Sequence, residues 1–189
     1  MRRYARTVKP DGGTEALGYH AGIIVSLTRP QQLLRANNRP GYVDDPHLRD
    51  SLRRGVRLLA NMTMPNGQFP AIGDGRYGNP VEALYLGADV LQDAEVKGTL
   101  TRIGRYQIEK ANGFHVSGLD TFTAVSDFEQ RFLPKTPAQK WRPASSLFPD
   151  QGLTVLRDGD SPADEVYLAI SHGTYGHSHP VLLGVTLFA

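Results

Sequence analysis

Near residue 145 the hydrophobic period of this chain changes, and that change sets the class of fold open to it. From about residue 14 to 111, apolar side chains recur every three or four positions, the spacing of one helix face. After the Pro- and Ser-rich stretch "LPKTPAQKWRPASSLFPDQG" (133–152) they alternate, the spacing of half-buried strands. Helices followed by strands predict an α+β chain, with a boundary near 140–147.

The clearest helix is "DDPHLRDSLRRGVRLLANM". Asp45 stands at the N-cap and Pro46 at the first helical position, and Leu48, Leu52, Val56, Leu59 and Met62 form the apolar stripe. The other face carries Arg49, Asp50, Arg53, Arg54 and Arg57, with Asp50 and Arg54 spaced to pair. "PNG" at 65–67 ends it. A second helix begins at Asn79-Pro80 and uses Leu84, Tyr85, Ala88 and Leu91. A third uses Val96, Leu100 and Ile103 and ends near Asn112-Gly113. An earlier one, roughly 15–36, contains Pro30, which is expected to kink or divide it. Moderate helices joined by Pro- or Gly-containing linkers suit stacked hairpins.

Three strands are predicted: "GLTVLRDG", "DEVYLAISHG" and "VLLGVTLFA", with "RDGDSPADE" turning between the first two. Three strands can form a sheet but cannot close a sandwich. The last is apolar on both faces, so it is expected to lie centrally in a larger sheet.

Composition removes several function classes. The 189 residues are 40% hydrophobic and 21% charged, with a formal charge of +2, which permits an anionic partner without demanding one. The arginines are spread along helices rather than massed in a nucleic-acid tract. There is no cysteine, which excludes disulfides and thiolate chemistry. "MRRYARTVKPDGG" has no apolar h-region, and no apolar run approaches the ~20 residues of a membrane span. Neither a P-loop, a post-strand GxGxxG nor a Gly-x-Ser-x-Gly elbow is present.

Two segments carry candidate chemistry. In "HGTYGHSHPVLLGVTLFA", His177 and His179 flank one residue, so an extended strand would present both on one face. H-x-H offers two imidazoles to a metal, or one to a metal and one to a substrate; two histidines capping a strand end fit equally. His172, before Gly173, suits a turn, while His47 and His115 suit surface or packing positions. In "DGGTEALGYHAG" (11–22), Glu15 and Tyr19 lie one turn apart on a helix. The plain alternative is that Thr14 or Asp11 caps that helix, Glu15 favours its positive end, and Tyr19 and His20 pack.

Taken in order, the "DGG-x-E-x-x-x-YH" helix, "FPAIGDG" (69–75), "FPDQGLTVLRDG" and "HGTYGHSHPVLLGVTLFA" resemble the heparinase II/III-like polysaccharide lyases, a superfamily with alginate lyases of similar architecture. The resemblance implies an incomplete α/α toroid in residues 1–140 and the start of an antiparallel β-sandwich in 145–189, with the substrate cleft between them. It implies Tyr19 as catalytic acid/base, His177 as its partner from the sandwich side, and His179 as a ligand of a structural zinc. Glu15, His20 and Arg157 are implied as cleft support. The substrate would be an anionic, uronate-containing polysaccharide, cleaved by β-elimination with no cofactor required. Val181 stands where family members often carry an aspartate after H-x-H-P. The family's other metal ligands and its carboxylate-pairing Asn or His fall outside the segments matched, so the chain is expected to be an internal fragment. Two rivals remain at this point. One is a carbohydrate-binding scaffold without catalysis; the other is an amidohydrolase-like metal-dependent hydrolase, which needs H-x-H early and barrel strands after it.

Overall fold

Asp45 starts its helix as the sequence predicts: its Oδ1 accepts from the backbone N–H of His47 at 2.9 Å and of Leu48 at 3.3 Å. The computed structural model describes residues 2–13, 17–72, 79–110, 144–159, 164–172 and 184–189. Among them are helices α1 (Arg2–Thr7), α2 (Leu17–Ala36), α3 (Pro46–Met62), α4 (Val81–Leu91) and α5 (Ala94–Lys110). Four strands follow, β1 (Ser146–Phe148), β2 (Leu153–Asp158), β3 (Val166–Ser171) and β4 (Gly184–Phe188).

The stripe Leu48, Leu52, Val56, Leu59 and Met62 buries α3 at the centre of the helical layer. Its polar face differs from the expectation. Asp50 pairs with Arg53 at 2.8 Å, one residue closer than Arg54, which turns instead toward Ser51 at 3.4 Å. Pro30 does not divide α2, which is a single helix through that residue. Proline removes one helix hydrogen bond, and contacts to α4 offset the loss: Arg29 pairs with Glu82, and Gln32 donates to Asp89 at 2.9 Å. α4 and α5 form a tight hairpin. Gln92 takes the left-handed conformation after α4, and Asp93 caps α5 through Oδ1 while its Oδ2 accepts from Arg57 Nε at 3.0 Å.

The sheet runs β1-β2-β3-β4 with every neighbouring pair antiparallel. Register places Val155, Ala169 and Thr186 in one row of the inner face, with Phe148, Leu153 and Tyr167 in the adjoining rows. Phe148, Leu153, Val155, Tyr167 and Ala169 belong to the same buried cluster as Ile24, Leu52, Leu84 and Leu100, so helices and sheet share one core. β1 lies in the stretch read from sequence as linker; three residues are too few for alternation to register. β4 also departs from expectation. It pairs only with β3 among the described strands and forms an edge, with Thr186 inward and Val185 and Leu187 outward. The outer face is apolar and exposed, with Leu147, Leu156 and Val166 beside those two residues. No described helix is long and apolar enough to cross a membrane.

Candidate functional site

The "DGG" lead-in is a docking device rather than a helix cap. Asp11 accepts from Gly13 N–H at 3.2 Å through Oδ1 and from Gln151 N–H at 2.9 Å through Oδ2. Lys9 Nζ donates to the Asp150 carbonyl at 2.6 Å. Both glycines are required by close approach: a Cβ on Gly12, whose φ is +96°, would overlap the Arg54 carbonyl, and one on Gly13 would overlap the Gln151 side chain. The segment leading to Tyr19 is thereby held against α3 and against the 3-10 turn Pro149–Gln151 before β2.

The same turn receives the far end of β3. His172 N–H donates to the Gly152 carbonyl at 2.7 Å, and the His172 ring meets Thr154 Oγ1 at 3.1 Å. His172 is the residue from which the chain leaves for 173–183, the stretch holding His177 and His179. Residues 149–152 therefore bond both to the segment ahead of α2, through Lys9 and Asp11, and to His172 at the end of β3.

Tyr19 itself is 62% exposed at the third position of α2. His20, expected in the cleft wall, is fully buried instead. Its Nε2 lies 3.2 Å from the Gly55 carbonyl and its ring packs against Tyr4, centroids 6.1 Å apart. Burial pulls its pKa down to about 4, the Gly55 bond opposing, so it is neutral near pH 7. A buried neutral imidazole cannot touch a sugar in this conformation, and the substrate role expected for it is not supported here. Tyr4 shares the junction; burial raises its phenol well above the ordinary value, with Arg54 opposing.

Arg157, also expected to support the cleft, is buried between β2 and the end of α3. Its side chain is only 2% exposed and is consumed inside the molecule. It pairs with Glu165, donates to the carbonyls of Asn61 at 2.7 Å and Thr63 at 2.6 Å, and lies over the Tyr167 ring at 4.6 Å. Arg102 meets the same carboxylate with Nη1 at 2.8 and 2.9 Å and gives Nη2 to the Thr63 carbonyl at 2.7 Å. These cations sit at the negative end of α3. The sequence reading missed Arg102, Glu165 and Tyr4, which are ordinary in local pattern and gain their roles only by packing.

Glu15, His177 and His179 lie outside the described residues, as does His115. His47 is exposed on α3, at a surface position. No group of three or more His, Asp or Glu side chains among the described residues is placed to hold a metal ion. The sequence matches no family model and no curated protein, and no solved structure matches the fold.

Proposed function

We propose that this chain carries the catalytic core of a polysaccharide lyase acting on uronate-containing polymers, with Tyr19 as base and acid and His177 as its partner. In this reading α2–α5 are part of an incomplete toroid, and β1–β4 are one leaf of a sandwich whose apolar outer face awaits a second leaf. The observation that carries the proposal is the convergence on residues 149–152. Asp11 is eight residues from Tyr19 and His172 five from His177, and both Asp11 and His172 bond to that turn. Five residues span at most about 17 Å, which bounds how far His177 can lie from that turn.

The chemistry asks little else of the protein. Neutralising the uronate carboxylate acidifies the C5 proton. The Tyr19 phenolate takes that proton; the C5 electron pair forms the C4–C5 double bond as the C4–O bond breaks. The phenol then returns its proton to the departing oxygen. An ordinary phenol, with pKa about 10, needs roughly 4 kcal/mol to ionise at pH 7, and a cationic neighbour such as His177 supplies much of that. A structural zinc with His179 among its ligands belongs to the family likeness; no step above passes through it.

Incubating the chain and its Tyr19→Phe variant with a panel of uronate polymers tests the reading through the ultraviolet absorbance of the unsaturated product. General acid–base catalysis predicts a loss of about a hundredfold or more in kcat for Tyr19→Phe. Equal rates would remove Tyr19 from the mechanism. Polymer binding without product from the native chain would favour a carbohydrate-binding scaffold instead.

A further inference from the structure

A buried polar contact between His20 and the Gly55 carbonyl ties the start of α2 to α3. We propose that His20 is a positioning residue for Tyr19, pinning α2 to the Gly55 carbonyl of α3 so that the adjacent phenol stands outward at one fixed point. This rests on the lyase reading of Tyr19 and deepens it.

Successive residues on a helix are separated by about 100° around its axis, so an inward His20 dictates where Tyr19 points. His20 is fully buried, and Tyr19 beside it is exposed. A carbonyl only accepts hydrogen bonds, so at 3.2 Å the Gly55 oxygen selects the His20 tautomer protonated on Nε2. Residue 55 has to be glycine for this contact. A Cβ there would stand 2.9 Å from His20 Nε2 and would overlap the Tyr4 hydroxyl. Three helices thus meet at one point: α1 through the Tyr4 ring, α2 through the His20 ring and α3 through the bare backbone of Gly55. Any rotation of α2 that moved Tyr19 would break the His20 bond and drive its ring into Tyr4.

The test uses the full chain and two substitutions. His20→Leu keeps apolar volume but loses the donor; His20→Gln keeps an amide N–H of similar reach. Misplacing a reacting group costs on the order of ten- to a hundredfold, so His20→Leu should lower kcat by that factor with KM unchanged, and His20→Gln should recover to within about threefold of native. In ¹⁵N spectra of the native chain, His20 should show the Nε2–H tautomer and should not titrate between about pH 5 and 8. An active native chain with His20→Leu equally fast, or with His20→Gln as slow as His20→Leu, overturns the positioning role and leaves the lyase reading standing. A native chain without eliminating activity overturns the lyase reading, and the positioning role with it. If His20→Leu does not fold, the native spectra and the His20→Gln rate decide: a His20 that titrates near its ordinary value contradicts the fixed contact.

Discussion

Glu165→Ala should cost about 3–5 kcal/mol of folding stability, the range for removing one partner of a buried ion pair. The Glu165 carboxylate lies between two guanidinium groups, and the side chains of Glu165, Arg102 and Arg157 are all 2–3% exposed. Burial, followed by the nearness of Arg157, already depresses the Arg102 pKa to about 10, with Glu165 opposing both. Removing Glu165 leaves two cations facing each other in the core. The loss spreads further because the cluster terminates α3. Thr63 Oγ1 donates to the Leu59 carbonyl at 2.6 Å and Thr63 N–H to Ala60 at 3.3 Å. Arg157 satisfies Asn61, and the Tyr167 hydroxyl satisfies Met62 at 2.9 Å. All four terminal carbonyls of α3 thus have donors, two of them from the sheet. Glu165→Gln, which keeps the shape and an acceptor, should cost less than Glu165→Ala. Urea unfolding followed by circular dichroism reads both, and a loss below about 1 kcal/mol for Glu165→Ala would mean the cluster is not buried as described.

Acid should destabilise the fold through His20 by about 3 kcal/mol, lost as pH falls from about 6.5 to about 4. The imidazole titrates at about 4 in the fold against an ordinary 6.5, chiefly because burial disfavours its cation. Between those values the unfolded chain binds a proton that the folded chain refuses, so stability rises with pH through this window and is fully present above it. Among the described residues, the Tyr4 ring from α1 packs against the imidazole. Carboxylates elsewhere add their own acid dependence, so the quantity to measure is the difference between native and His20→Gln. Urea midpoints at about pH 7 and about pH 4.5 should fall further for the native chain than for the variant. Equal falls would show that His20 is not the group refusing the proton.

The helices were legible because their signals are local. Asp45-Pro46 and the stripe Leu48 to Met62 are complete within one stretch, as are Asn79, whose Oδ1 accepts from Val81 N–H at 2.9 Å, and the αL residue Gly67 after α3. What could not be read depends on residues far apart in sequence. Arg102 and Glu165 are 63 positions apart, and no pattern within either segment announces that they meet. The local pattern leaves His20 open to packing and the family resemblance implies it as cleft support; only Gly55, 35 positions later and bare of a side chain, explains why it turns inward. Arg157 sits on an alternating strand, and alternation names two faces without saying which of them meets a helix end. β4 was placed centrally because both its faces are apolar. Its exposed Val185 and Leu187 are the physical form of that same observation.

The proposed lyase chemistry requires the Tyr19 phenol and the His177 imidazole to stand one sugar apart. The chain has no cysteine, so a Tyr19→Cys, His177→Cys double variant presents two thiols alone. Treated with bis-maleimides of increasing length, it should close with the reagent that spans a single monosaccharide, as read by peptide mass after digestion. Closure only with reagents several sugars long, or none at any length, would contradict the account.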